Sequence, residues 1–284
     1  MNRSSAILRP RQPHAILLAV LVSIALLLGA VGLASSPAAS ASSSSTTKPT
    51  VVLVHGAFAD ASSWNEVVRR LQKDGYPVLA PANPLRGVAT DSGYLASVLE
   101  TLEGPIILVG HSYGGVVITN AATGNPNVKA LVYVAAFAPD EGDTVLGLQT
   151  KFPGSQLGEP TLDIRPYPLG DGSHSYDGYV KLSAFRDIFA ADVPKATAAA
   201  MAATQRPADV HTLQEPSGTP AWQSIPAAYL VARDDKVIPA AAQRFMAQRA
   251  GARTIEVDSS HVAMISKPNA TADLITSTAR TAVR

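Results

Sequence analysis

The sequence predicts an α/β domain built on a mostly parallel sheet of about six strands, with helices on both faces and one inserted cap. Short β-branched runs alternate with helical patterns over residues 50–134, and the alternation resumes over residues 227–282. That spacing is typical of a parallel sheet whose strands are joined by crossover helices. The segment from about residue 139 to residue 225 is rich in proline and glycine and interrupts the alternation of strands and helices. We therefore interpret this segment as a cap inserted into one sheet domain.

The first half of the domain is predicted to contain four strands and three helices. Residues 50–54 (TVVLV) form an apolar run that ends at a glycine turn, as expected of a buried strand. The next helix is expected to be capped by Ser62 or Ser63 and to end at Gly75. The other elements are a strand at 77–80, a helix at 91–102, a strand at 106–109, a helix ending at about 123 and a strand at 128–134.

The second half begins with the cap, where two helical patterns are found near 179–189 and 194–204. The alternation of strand and helix then returns for two further units. These are a strand at 227–232, a helix at 239–250, a strand at 254–257 and a helix at 268–282.

Composition excludes several classes of function. The 284 residues are 46% apolar and 16% charged, which argues against a largely disordered chain. Lys and Arg total 23 against 22 Asp and Glu, without a basic block, so we expect no nucleic-acid partner. The chain has no cysteine, which excludes disulfides, a thiol nucleophile and thiolate metal sites. We expect neither a cofactor nor a metal.

Residues 1–41 are predicted to be a signal peptide. Three arginines precede an apolar stretch over residues 15–33, and Ala39-Ser40-Ala41 offers the small residues that signal peptidase requires. Residues 42–49 then form a serine-rich linker to the domain at 50–284. We expect a secreted or cell-envelope protein without stable membrane association after cleavage. The alternative is an uncleaved N-terminal membrane anchor, because the apolar stretch is just long enough to span a bilayer.

A serine nucleophile is predicted at the end of the third strand of the sheet. Gly110-x-Ser112-x-Gly114 stands between an apolar strand and a helix. In that context the glycines permit a tight turn that projects the serine hydroxyl above the sheet, next to a helix N-terminus. The alternative is that Ser112 merely caps the helix.

The base and acid that a serine nucleophile needs are expected in later loops. His261 follows the last strand, where its loop can lean over the sheet edge toward Ser112. The acid should precede the histidine in the sequence, and Asp235 is preferred because a residue four before the helix-starting Pro239 can point back across the loop. Asp234 and Asp140 are the alternatives.

The backbone around the nucleophile is expected to stabilise an oxyanion. The N–H group of Tyr113 is one predicted donor, and the second is that of Ala57 in the first glycine turn, with Phe58 as the reserve. Phe58, Tyr113, Phe137 and Met264 lie beside the predicted site in the sequence and are interpreted as the wall of an apolar pocket. Ordinary core packing is the alternative for Phe137 and Met264.

Four motifs carry a resemblance to a known family. They are VLVHGA at 52–57, GHSYGG at 110–115, Asp235-Lys-x-x-Pro239 and His261-Val-Ala-Met264. Together they resemble the α/β-hydrolase superfamily over residues 50–284, and within it the small capped esterases of the plant methylesterase and hydroxynitrile lyase type and their bacterial relatives. The resemblance implies the α/β-hydrolase fold and the same site roles. The chain departs from the lyase members of the family at one position. They place Lys directly after the histidine, and this chain has Val262 there.

The sequence thus predicts a secreted serine hydrolase that cleaves a small-molecule carboxylic ester through a Ser-His-Asp triad and an acyl-enzyme. One alternative uses the same triad on a lactone, on a carbon–carbon bond or in peracid chemistry. A second alternative, from another class of protein, is a non-catalytic ligand receptor on the hydrolase scaffold.

Overall fold

A computed structural model describes residues 48–283 of the chain. The predicted signal peptide (1–41) and most of the predicted linker (42–49) therefore lie outside the described residues. The last two linker residues pack on the domain, because Pro49 is buried and Lys48 Nζ lies 4.8 Å from the ring centroid of Tyr76. Among the helices that the structure describes, none combines the length and apolar character needed to cross a membrane.

The described part of the chain contains nine strands, ten α-helices and three short 3₁₀ helices, Ala61–Trp64, Glu159–Thr161 and Ala221–Gln223. The strands are β1 Thr50–Val54, β2 Val78–Leu79, β3 Ile106–Ser112, β4 Val128–Ala136, β5 Leu162–Pro168, β6 His174–Val180, β7 Ala208–Asp209, β8 Ala227–Ala232 and β9 Arg253–Val257. The helices are α1 Asn65–Lys73, α2 Val88–Glu100, α3 Gly114–Ala121, α4 Val145–Thr150, α5 Leu182–Phe189, α6 Lys195–Thr204, α7 His211–Gln214, α8 Ala240–Arg249, α9 Ala263–Ser266 and α10 Pro268–Ala282.

The central sheet has six strands in the order β2-β1-β3-β4-β8-β9, and every pairing within it is parallel. All seven residues of β3 are buried. Successive side chains of a strand point to opposite faces, so the burial of β3 shows that both faces of the sheet are covered. Around the sheet, α1 packs against α10 and α2 packs against α3. The predicted α/β-hydrolase fold is confirmed.

The cap lies between the end of β4 and the start of β8, where the sequence places it. It contains an antiparallel β5-β6-β7 sheet that the sequence analysis missed. The predicted helix at 179–189 is therefore wrong at its start, because residues 174–180 form β6 and the helix begins at Leu182. Strand β5 could not be recognised in the sequence because it contains Pro166 and Pro168. A sheet tolerates proline in an edge strand, and β5 is an edge strand.

Three other predicted details are also wrong. The helical segment after β1 is capped by Asp60, whose side chain accepts from the Ser62 N–H at 2.7 Å, and neither Ser62 nor Ser63 is the N-cap. Helix α2 begins at Val88 instead of residue 91, which places Asp91 in its first turn. Strand β3 continues to Ser112, three residues beyond the predicted end. The nucleophile candidate is therefore the last residue of a central strand.

Candidate active site

The turn that carries Ser112 is strained and tightly packed. Ser112 has a φ of 53°, in the left-handed region that costs a non-glycine residue about 1–3 kcal/mol. Glycine is required on either side, since a Cβ at Gly110 would lie 2.6 Å from the Gly114 carbonyl oxygen. A Cβ at Gly114 would lie 2.5 Å from the carbonyl oxygen of Val54. This packing holds the Ser112 side chain at the N-terminus of α3.

The structure brings the predicted serine, histidine and aspartate together. Ser112 Oγ lies 2.9 Å from His261 Nε2, and His261 Nδ1 lies 2.7 Å from Asp235 Oδ2. The side chains of His261 and Asp235 are fully buried. Because a carboxylate only accepts, the proton of a neutral His261 resides on Nδ1, which leaves Nε2 free to accept from the Ser112 hydroxyl.

Of the three predicted acids, Asp235 is the one that reaches His261. Its Oδ1 accepts from the backbone N–H groups of Val237 at 2.7 Å and Ile238 at 3.0 Å, and these bonds turn Oδ2 toward the imidazole. The neighbouring Asp234 is exposed. Asp140 lies in another loop, where its Oδ1 accepts from the next backbone N–H.

Two backbone amides beside Ser112 are free to bind an oxyanion. Within residues 48–283, the amides of Ala57 and Tyr113 donate to no protein acceptor. The reserve donor, Phe58, instead uses its N–H to bond the carbonyl oxygen of Arg206 at 3.1 Å. Tyr113 also immediately precedes α3, so its amide lies at the positive end of that helix.

Gln243 is a buried neighbour of the site that the sequence analysis missed. Its Nε2 donates to Asp235 Oδ2 and to the Ile238 carbonyl oxygen, both at 2.8 Å. Its Oε1 accepts from the Ala232 N–H at 3.0 Å, and this bond fixes the orientation of the amide. The sequence indicates that Gln243 is buried, because it lies on the same face of α8 as Ala242 and Met246, but it does not indicate the partners of the amide.

Two further buried histidines, His111 and His55, form hydrogen bonds as neutral imidazoles. His111 Nε2 donates to the His261 carbonyl oxygen at 3.0 Å, and the two rings lie 4.7 Å apart. Burial, together with the proximity of His261, holds the pKa of His111 well below its ordinary value. His55 bonds the Gly56 carbonyl oxygen and the Asn83 N–H, each at 2.9 Å, and burial lowers its pKa. His55 therefore braces the first glycine turn.

The side chain of Tyr113 is held by a buried hydrogen bond to the first turn of α2. Its hydroxyl donates to Asp91 Oδ2 at 2.8 Å, and burial raises the pKa of that hydroxyl well above its ordinary range. Asp91 also accepts from the Arg86 N–H, while burial raises the pKa of its carboxyl group. The sequence analysis missed this contact, which links the first turn of α2 to the residue after the nucleophile.

A cavity between the sheet domain and the cap opens at Ser112. Its empty space is about 540 Å³ when the solvent at its mouth is included, and about 40 Å³ of this can be occupied by the centre of a water-sized sphere. Phe58, Tyr113 and Phe137 line it as predicted. Met264 is fully buried in α9 and is not one of the lining residues, so the expectation that it forms part of the pocket is wrong. Among residues 48–283, no three His, Cys, Asp or Glu side chains are grouped to hold a metal ion.

Comparison with known proteins identifies the family. Residues 51–274 match the model of the alpha/beta hydrolase family, and the chain belongs to that family. The pyrethroid hydrolase of Sphingobium wenxiniae is 30% identical over 249 residues, which cover 79% of this chain and 85% of that relative. Methylesterase 8 of Arabidopsis thaliana is 26% identical over 215 residues, covering 69% and 75%. The predicted resemblance to small esterases of this type is confirmed.

Two further matches differ in what they cover. The carbendazim hydrolyzing esterase of a Nocardioides species is 36% identical over 113 residues, which are 35% of this chain and 47% of that protein. The chain thus matches about half the length of that relative. The crystal structure of polyneuridine aldehyde esterase aligns with a TM-score of 0.71 and 18% identity, covering 81% of this chain and 98% of that one. This last match supports the fold.

Proposed function

We propose that the chain is a serine hydrolase that cleaves carboxylic esters through an acyl-enzyme, with Ser112 as nucleophile, His261 as base and Asp235 as the orienting acid. The observation that carries this proposal is the continuous hydrogen-bonded path from Ser112 Oγ through His261 to Asp235. Relatives named esterases and hydrolases support the same enzyme class.

In the first half-reaction, Ser112 Oγ attacks the ester carbonyl carbon while its proton passes to His261 Nε2. The negative charge that develops on the carbonyl oxygen is stabilised by the amides of Ala57 and Tyr113. Asp235 holds the imidazole in its tautomer and stabilises the imidazolium. The carbon–oxygen bond to the alcohol then breaks, and the alcohol leaves with the proton from His261.

In the second half-reaction, water replaces the alcohol as the nucleophile. His261 takes a proton from the water as its oxygen attacks the acyl carbon, and the tetrahedral intermediate collapses to the carboxylic acid. The proton returns to Ser112 Oγ, and the enzyme is restored. Neither half-reaction calls for a cofactor.

Ester turnover and its dependence on the two residues test this proposal. With short p-nitrophenyl esters, Ser112→Ala and His261→Ala should each lower kcat/KM by about 10⁴-fold, and the double variant should be little worse, because the residues act as one unit. Ser97→Ala and His174→Ala are matched controls, since both residues are exposed. Losses that add in the double variant would contradict a shared proton.

A cyanohydrin separates ester hydrolysis from lyase chemistry. The residue after His261 is the apolar, fully buried Val262, and in the described part of the chain the cavity is lined by no cation. Among the described residues that line it, the site thus has no Lys or Arg to stabilise a departing cyanide ion. We expect no cyanide release from mandelonitrile above the spontaneous rate, and release that disappears in Ser112→Ala would overturn the assignment.

We also propose that the protein acts after export, with a small-molecule ester as its partner and neither nucleic acid nor a membrane as a stable one. The arginines, the apolar stretch and Ala39-Ser40-Ala41 support export. N-terminal sequencing of protein from the culture medium or cell envelope should find a chain that begins near Ser42. A chain that begins at Met1 and sediments with membranes would instead indicate an anchor.

A further inference from the structure

The cavity at Ser112 is lined mainly by apolar side chains from the cap. They include Val145, Leu157, Leu162, Ile164 and Leu213. All of the lining residues lie in the described part of the chain, and none of them is Asp, Glu, Lys or Arg. A charged substrate group would therefore lose its hydration there without gaining a counter-charge, which is strongly unfavourable.

One amide in this apolar wall has a fixed orientation. Gln149 lies on α4, is 6% exposed, and donates from Nε2 to Ser155 Oγ at 2.9 Å and to the Leu157 carbonyl oxygen at 2.8 Å. Ser155 Oγ has one proton, and it donates that proton to the carbonyl oxygen of Val237 at 2.8 Å. Ser155 must therefore accept from Gln149, so the amide cannot be reversed.

In this orientation Gln149 Oε1 accepts no hydrogen bond from residues 48–283, and it is not one of their fully buried, unpartnered side-chain atoms, so it keeps some accessible surface. Thr212 also lines the cavity, and its hydroxyl proton is committed to the Asp209 carbonyl oxygen at 2.6 Å. The hydroxyl proton of Tyr113 is committed to Asp91. The side chains of the cavity beyond Ser112 thus offer hydrogen-bond acceptors to a ligand, and no free donor.

We propose that Gln149 Oε1 is the polar recognition point of the cavity, and that the preferred substrates are uncharged, apolar esters that carry a hydroxyl or N–H group to donate to it. The inference rests on the proposed ester hydrolysis and specifies its substrate class. A neutral hydrogen bond of this kind contributes about 0.5–1.5 kcal/mol, or about 2- to 12-fold in kcat/KM.

A matched panel of esters tests the inference. Methyl 3-phenylpropanoate is compared with its three ring-hydroxy isomers, their methoxy counterparts and a ring-carboxylate analogue. At least one hydroxy isomer should exceed both its methoxy counterpart and the parent ester by about 2- to 12-fold in kcat/KM. The carboxylate analogue should fall below the parent by about 100-fold or more, because its charge is buried without a partner.

Variants of Gln149 connect the preference to one atom. Gln149→Met removes the acceptor at nearly constant length and should abolish the hydroxyl preference, measured as the ratio of kcat/KM for the hydroxy isomer to kcat/KM for its methoxy counterpart. Gln149→Asn withdraws the acceptor but keeps an amide, and it should also abolish the preference. Should neither variant fold, the wild-type panel decides by itself.

The outcomes separate this inference from the proposed function. Parent-ester turnover that depends on Ser112, with no hydroxy isomer preferred, overturns the inference and leaves the hydrolase proposal standing. A preference that survives in folded Gln149→Met also overturns it. Absence of turnover for every ester, in protein that shows a single cooperative unfolding transition, overturns the hydrolase proposal and the inference together.

Discussion

Replacing Asp235 with asparagine is the substitution whose consequence the geometry defines most fully. The Asp235 carboxylate accepts from four donors, two backbone N–H groups on Oδ1 and the side chains of His261 and Gln243 on Oδ2. An asparagine has a single acceptor oxygen. Because the backbone donors at 2.7 and 3.0 Å cannot move independently, that oxygen should stay at the Oδ1 position. The amide NH₂ group then faces His261.

Two losses follow from that orientation. The NH₂ group donates to His261 Nδ1, which moves the imidazole proton to Nε2, where it blocks acceptance of the Ser112 proton. The loss of the correct tautomer should lower kcat by about 10³- to 10⁴-fold, which is about 4–5.5 kcal/mol. The same NH₂ group opposes the Gln243 NH₂, and one unmet buried donor costs about 1–3 kcal/mol of unfolding free energy. The melting temperature should fall by about 2–12 °C.

The assay is kcat for a p-nitrophenyl ester at saturation, together with thermal unfolding followed by circular dichroism. Asp234→Asn is the matched control, because Asp234 is exposed and the bond in this loop from its backbone N–H to the Ser259 carbonyl oxygen does not involve the side chain. It should change kcat by less than about tenfold. A folded Asp235→Asn enzyme with kcat within tenfold of wild type, or a larger loss of kcat in Asp234→Asn, would show that Asp235 does not orient His261.

Three further predictions concern packing, positioning and pH. Gly115→Ala should abolish soluble folded protein, because its Cβ would lie 2.1 Å from the Phe137 carbonyl oxygen, and gel filtration with circular dichroism checks this. Gln243→Leu should lower kcat by about 10-fold or more with little change in KM, and an unchanged kcat would exclude a positioning role. The unfolding free energy should decrease as pH falls below 6.5, by up to about 1.4 kcal/mol per pH unit for each of His55 and His111. Both are held neutral in the folded state while the unfolded chain takes up protons, and chemical denaturation between pH 7.5 and 5.5 would contradict this if stability rose.

The four inner strands of the sheet, β1, β3, β4 and β8, could be predicted from the sequence because they are buried on both faces. Strands β1 and β8 and helix α10 coincide with the predicted residues, since uninterrupted apolar runs and a proline at the helix start mark them in the sequence. The cap hairpin could not be predicted in the same way. Its edge strand contains two prolines, and half-exposed residues such as Tyr176 and Tyr179 do not show which partner they pair with.

The residues of the site also fall into two groups, those that the sequence predicts and those that it does not. Ser112 ends a strand of the parallel sheet, and Asp235 and His261 each come after one, so their positions in the sequence predict that they meet at one edge. Gln149 and Gln243 are different, because their roles depend on which atoms surround them in the fold. The committed proton of Ser155, which orients Gln149, is a contact that no spacing in the sequence reveals.

Labelling with a fluorophosphonate probe tests whether Ser112 is the activated nucleophile of the protein. Ser112 Oγ should bond to phosphorus as fluoride leaves and His261 takes the serine proton. The mass of the intact protein should then show one adduct. Mass spectrometry of its digest should assign that adduct to the peptide that contains Ser112. We expect no adduct in Ser112→Ala, labelling slowed by about 10³-fold or more in His261→Ala, and labelling as in wild type for Ser97→Ala. An unlabelled, folded wild-type protein, or an adduct that persists in Ser112→Ala, would show that Ser112 is not the nucleophile.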